Sequence, residues 1–172
     1  MTARPRWSAA GLVALGTVLG VGPVSAQGAK AVEPLCERIL PATSANRLTQ
    51  HTDLILIARR AVPAAGGTCN YATGGKKMVF LVSVLDEKSH AAEHYARYKD
   101  QAEYRANQRE VPGLGDAAFT GGTYEHEVVV RQGSRLILVA SMIQFDHTTH
   151  AARAAVPRDA LVGIAREVIG RL

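Results

Sequence analysis

TCNYATGGKKMVFLVSVLD, running from Thr68 to Asp86, reads as two strands joined by a turn. Gly74-Gly75 is the linker that hairpins favour, because both positions tolerate positive φ. In the second strand, Lys76 to Asp86, side chains alternate. Met78, Phe80, Val82 and Val84 share one face; Val79, Leu81, Ser83 and Leu85 share the other. Both faces are apolar, so this strand is expected at the centre of a sheet with material packed over each side.

Upstream, Asp53 to Val62 (DLILIARRAV) alternates Ile55 and Ile57 with leucine, which favours a strand, although Ala and Arg suit a helix equally. Before it, PLCERILPATSANRLTQ from Pro34 offers two short helical pieces. Pro41 stops the first, and Thr43 or Ser44 is placed to cap the second. Downstream, Ser89 to Asn107 has Ala91, Tyr95, Tyr98 and Ala102 at the spacing of one helical face. Such a face lies on a sheet with its hydroxyls reaching the rim.

Then VPGLGDAAF, Val111 to Phe119, forces a tight loop before a short strand, and Gly121-Gly122 turns the chain again. Glu125 to Arg131 and Arg135 to Ile143 make a second hairpin around Gln132-Gly133-Ser134. Phe145 to Ala155 reads as a loop or loose turn. Pro157 opens a terminal helix with Leu161, Ile164, Ala165, Val168 and Leu172 on one side. The order is that of an α+β domain: an antiparallel sheet of about five or six strands with helices packed on it.

The N-terminus has Arg4 and Arg6, a short apolar run from Ala9 to Val21, and Val24-Ser25-Ala26 before Gln27. Charged start, apolar middle and small residues at the cut are the parts of a secretory signal. The run is too short for the roughly 20 residues that span a bilayer. Residues 1–26 are therefore expected to be removed, 27–33 to form a flexible leader and 34–172 one domain, periplasmic or secreted and without a stable membrane anchor. Loss of Arg4 and Arg6 takes the formal charge from +5 to +3. That mild excess, scattered among acids with few aromatic groups, argues against nucleic-acid binding.

The only cysteines are Cys36 and Cys69, and in an oxidising compartment such a pair forms a disulfide. Closing about 34 residues stabilises a fold by roughly 3 to 4 kcal/mol in the chain-entropy account. No CxxC is present, so a thioredoxin-type role has no support.

With PLCERIL around Cys36, GTCNYAT around Cys69 and VPGLGDAAF after the middle helix, the chain resembles a group of secreted or lipoprotein domains with a PsbP-like fold. The resemblance spans roughly Pro34 to Leu172. It implies a Cys36–Cys69 disulfide and a sheet carrying helices, and it brings no catalytic residues. The chain departs from many such domains in having no cysteine placed for lipidation.

Candidate chemistry is sparse. His90 and His94 form HxxxH on a helix, a spacing zinc sites use, and His147 and His150 are candidates to complete such a site. Glu125 and Glu127 fall on one strand face with His126 on the other, which separates them as a constellation. HExxH and GxSxG are absent, GLGDAA reads as turn geometry, and Ser83, Ser134 and Ser141 have no sequence partner that marks a nucleophile. Tyr95 and Tyr98 are candidate binding residues, since tyrosine suits a partly buried recognition surface. The expectation is an exported, non-enzymatic binding or accessory domain, without a cofactor, whose partner is a protein or a small ligand held between sheet and helix. The alternative is a periplasmic metal-binding protein using the histidines.

Overall fold

A computed structural model describes residues 35–62, 66–105 and 107–172; the signal expected at 1–26 and the leader expected at 27–33 lie outside them. Among the described residues five α-helices and nine strands follow one another: α1 (35–39), α2 (Ala42–Thr49), β1 (Leu54–Val62), β2 (Gly66–Thr73), β3 (Met78–Asp86), α3 (Ala91–Asp100), α4 (Ala102–Arg105), β4 (Arg109–Glu110), β5 (Ala117–Gly121), β6 (Glu127–Gln132), β7 (Arg135–Ser141), β8 (Ile143–Asp146), β9 (Ala151–Ala154) and α5 (Arg158–Ile169). The class is α+β, as the sequence implied.

Seven strands form one antiparallel sheet in the order β1-β2-β3-β7-β6-β5-β4. Two meanders, β1–β3 and β4–β7, meet where β3 pairs with β7. The sheet exceeds the expected five or six strands because Arg109–Glu110, too short to show a pattern, adds an edge.

Alternation along β3 gives the sheet its two sides. Phe80, Val82 and Val84 are buried with Tyr71, Val128, Val130, Ile137 and Val139 in the main core. That core is closed by Ile39 of α1 and Leu40 just after it, Ala45 of α2, and Leu161, Ile164, Ala165 and Val168 of α5. Fully burying each large aliphatic side chain contributes about 1.5 to 3 kcal/mol. The opposite side is covered by α3 and α4 over β5, β6 and β7, with Tyr95, Tyr104, Phe119, Val129 and Leu136 buried there. On that side of β3, Leu81, Ser83 and Leu85 are only half-buried.

The disulfide joins Cys36 to Cys69, with Cα atoms 5.6 Å apart, and fastens α1 to β2. Among the described residues no helix is long and apolar enough to cross a membrane.

Several local expectations are corrected. The first hairpin has the left-handed residue at Lys76 (φ 62), not at Gly74 or Gly75. Lys76 N–H returns to the Thr73 carbonyl, and Thr73 N–H to that of Lys77, so the chain makes a three-residue loop with a bulge. Neither Thr43 nor Ser44 caps α2: Pro41 occupies the N-cap, and Ser44 lies inside the helix. Residues 145–155 are not a loop, because β8 and β9 form a two-stranded ribbon. Its turn is set by Asp146, whose carboxylate accepts from the amides of Thr148 and Thr149; the alanine and arginine of β9 hid the strand period.

The single helix expected over 89–107 is a 3-10 turn at Lys88–His90, then α3, a break and α4. Gln101 is extended (ψ 138) and donates its N–H to the Tyr98 carbonyl at 3.2 Å. Ala102, expected on the buried face, is exposed, and Tyr104 is buried in its place.

Candidate functional site

The chain leaves β3 at Asp86 and turns onto the second side of the sheet. Asp86 anchors that turn: the Ser134 hydroxyl and the Lys88 amide donate to its carboxylate and hold its pKa below the ordinary value. From there Ala91 and Tyr95 face the sheet along α3, as their helical spacing requires. After Gln101, Tyr104 comes back beneath α3.

These residues gather three of the five tyrosines and one of the three phenylalanines of the chain. Tyr95 stands edge-on to Phe119 with ring centroids 5.4 Å apart, Tyr104 likewise at 5.6 Å, and Tyr98 meets Tyr104 at 6.1 Å. Edge-to-face contacts at these separations are the favoured aromatic geometry. Tyr98 remains half-exposed and lines a crevice of about 270 Å³ between α3 and the sheet. Leu85 and Leu136 supply apolar lining, while Glu87, His94, Arg97 and Gln101 supply polar groups.

Two carboxylate–imidazole pairs flank Tyr98. In the crevice, His94 Nδ1 is 2.9 Å from Glu87 Oε2. Behind it, the Tyr104 hydroxyl donates to Glu127, and His126 Nε2 lies 3.2 Å from the other carboxylate oxygen. Burial, then the charges of Glu127 and Glu87, raise the Tyr98 phenol above its ordinary pKa. Tyr104 is raised as well, by burial first and then by its bond to Glu127.

The sequence placed Glu127 and His126 on opposite strand faces, and this is overturned. β6 begins only at Glu127, and Glu125 (φ 52) belongs to the preceding turn, so strict alternation does not extend through the trio. Glu127 and His126 are 18% and 17% exposed, far from a solvated strand face. Glu125 is separate and pairs with Arg109 at 2.9 Å. Gly121-Gly122, read from the sequence only as a turn, is the signal that could have pointed to the cluster. A Cβ on Gly121 would sit 2.7 Å from Tyr104 Cδ1, and one on Gly122 (φ +87) 2.7 Å from His126 Cε1.

Tyr95 and Tyr98 both lie at the helix–sheet interface, but with different environments. The Tyr95 hydroxyl does not reach the rim: it is buried without a hydrogen-bond partner among the described residues. Burial, then Glu110, push its pKa up to about 12, against the pull of Arg131. His126 Nδ1 is likewise buried and unpartnered.

The four candidate metal-binding histidines fall on two elements. His90 and His94 lie on the α3 segment with ring centroids 6.1 Å apart, each beside its own glutamate, Glu93 or Glu87. His147 and His150 sit at the turn of the β8–β9 ribbon against Phe145. Among the described residues no group of three or more His, Cys, Asp or Glu is arranged to hold a metal ion. The serines have structural uses: Ser83 bonds Thr68, Ser134 bonds Asp86, and Ser141 accepts the Val156 amide.

A wider open cleft of about 460 Å³ lies between α2 and α5. Its Glu167 is already engaged by Arg171 at 2.6 Å and Arg47 at 3.4 Å. The crevice under α3, with its tyrosine and apolar lining, is the better candidate.

The chain matches no protein-family model, and no curated protein or solved structure is significantly similar to it.

Proposed function

We propose that this is an exported, non-enzymatic binding domain of the periplasm or extracellular space, PsbP-like in arrangement, that holds a small ligand between α3 and the sheet. The observation that carries the reading is the crevice itself, where Tyr98, His94 and Glu87 stand over Leu85 and Leu136 in about 270 Å³. Ligand sites combine apolar walls with a few fixed polar groups, and usually occupy about 300 to 1,000 Å³; the crevice falls just below that range, so its ligand is smaller than a drug-sized molecule. Binding is favoured over catalysis because Ser83, Ser134 and Ser141 bond Thr68, Asp86 and the Val156 amide and not either imidazole. The exported location is supported by the N-terminal sequence and the disulfide.

The test is an NMR titration of the full mature chain with a panel of small amines, acids and alcohols at millimolar concentration. The expected result is saturable shifts in the resonances of Tyr98, Leu85 and Leu136 for at least one chemical class, lost in Leu85→Arg, whose half-buried position leaves the core intact and whose folding a thermal melt checks. Shifts confined to other surfaces, or none from any class, overturn the reading.

A further inference from the structure

We infer that the crevice under α3 selects a small organic cation, an ammonium group held against the ring of Tyr98 and the carboxylate of Glu87. The inference rests on the binding reading above and gives it a ligand class.

Charge is the first argument. The mature chain carries a formal net charge of +3, after Arg4 and Arg6 are removed with the signal. Yet Glu87 lines the crevice, and a second carboxylate, Glu127, stands behind Tyr98 through Tyr104. Arg97, the one lysine or arginine in the lining, is tied at 2.7 Å to Glu93, both side chains being more than 60% exposed. Around the crevice the carboxylates Glu87, Glu93 and Glu127 thus outnumber Arg97, and Glu87, met by His94 Nδ1 at 2.9 Å, is the one a cation would share with that imidazole.

The second argument is the aromatic wall. A cation within about 6 Å of a tyrosine ring is attracted by the negative face of its π-system. Tyr98 is held by its edge-on contact with Tyr104, and Tyr104 is fixed by its bond to Glu127. The ring is thus oriented before a ligand arrives, which limits the ordering cost of binding. The Tyr98 phenol pKa is raised first by burial and only then by the charges of Glu127 and Glu87; that second part is the negative potential a cation would relieve. A small ammonium compound also suits a crevice of about 270 Å³.

The discriminating experiment compares three molecules of nearly one shape: choline, its neutral carbon isostere 3,3-dimethylbutan-1-ol, and the anion 3,3-dimethylbutyrate. NMR titration of the wild-type mature chain is expected to give saturable choline shifts at Tyr98 and Leu136. The alcohol is expected to bind at least about tenfold more weakly, the anion more weakly still. Tyr98→Phe keeps the ring and should retain choline affinity, whereas Tyr98→Leu should weaken it between about threefold and thirtyfold. Glu87→Gln should weaken it at least about fivefold. Thermal melts establish that each variant folds, and the three-ligand comparison on wild type needs no variant. If the alcohol or the anion binds in the crevice as well as choline does, the charge selection is wrong and the binding site stands. If choline shifts nothing there while another class does, the cation is likewise refuted. If no class binds there, both readings fall.

Discussion

Opening the Cys36–Cys69 disulfide should lower stability by about 3.8 kcal/mol. The bond spans 33 positions and closes a loop of about 34 residues, for which the chain-entropy relation gives roughly 12 to 13 cal/mol/K of denatured-state entropy. For a domain of this size each kcal/mol moves the midpoint by roughly 3 to 4 °C, so the reduced chain should melt about 10 to 15 °C lower. Both cysteines are 0% exposed. A reductant therefore has no access to the native fold, and reduction must be done in denaturant before refolding without oxidant. The assay is a circular-dichroism melt of reduced and oxidised protein, with two free thiols confirmed by mass. Cys36→Ala with Cys69→Ala should lose roughly 1 to 3 kcal/mol more, because deleting buried atoms leaves a cavity that reduction does not. If the bond acts on the denatured ensemble, hydrogen exchange in native α1 should stay slow after reduction. That helix remains tied down by buried Ile39 and Leu40 and by the Tyr71 hydroxyl bond to the Leu40 carbonyl. A confirmed dithiol melting within about 2 °C of the oxidised protein would refute the reasoning.

Gly113 and Gly115 both have positive φ, 70° and 62°, yet only the second is sterically closed. Gly113→Ala should cost about 1 to 2 kcal/mol for its left-handed backbone, while Gly115→Ala should cost clearly more, its Cβ falling 2.6 Å from Val130 Cγ1 and 2.7 Å from the Arg131 carbonyl; paired urea melts measure the difference. Tyr71→Phe keeps the stacked ring, 4.4 Å from Phe80, but strips a buried carbonyl at Leu40 of its donor, so denaturant unfolding should show a loss of about 1 to 3 kcal/mol. Glu167 has its folded pKa lowered, first by the Arg171 hydrogen bond. Its stabilising contribution is therefore present above the ordinary glutamate pKa and lost as pH falls through the depressed one; unfolding measured from pH 6 to pH 3 should decline more steeply in wild type than in Glu167→Gln.

Periodicity carried much of the architecture because the elements it marked are buried as their patterns demand. β3 shows an apolar run broken only by Ser83 before Asp86 and lies between β2 and β7. Residues 53–62 alternate, and β1 occupies Leu54–Val62. α5 buries Leu161, Ile164, Ala165 and Val168 at helical spacing after Pro157. The cysteine pair was legible from number alone, given an oxidising compartment. What periodicity missed depends on contacts distant in sequence or on turns without a strong composition signal. The β8–β9 ribbon is half exposed, with Phe145 at 52%, and its strands lack the apolar alternation of a core strand. His126 and Glu127 looked separated because a strand period was extended into a turn. Their meeting with Tyr104 joins residues 22 and 23 positions apart, a proximity no local window reveals.

The break at Gln101 connects these omissions to the candidate site. A continuous helix would carry the face of Ala91, Tyr95 and Tyr98 on to Ala102 and direct Tyr104 elsewhere, about 200° around the axis from Ala102. Breaking it gives up helical hydrogen bonds at the junction, and no glycine or proline there announces the cost. The offsetting gains are burial of the Tyr104 ring against Phe119 and a bond to the Glu127 carboxylate. Both partners come from the second meander, so the break is a tertiary decision. It also makes the crevice: Gln101 lines it, and Tyr104 braces the Tyr98 ring from behind. The departure from the simplest helical reading is thus the feature that sets an aromatic surface between two carboxylates, and Gly121 and Gly122 leave the space in which Tyr104 and His126 can pack.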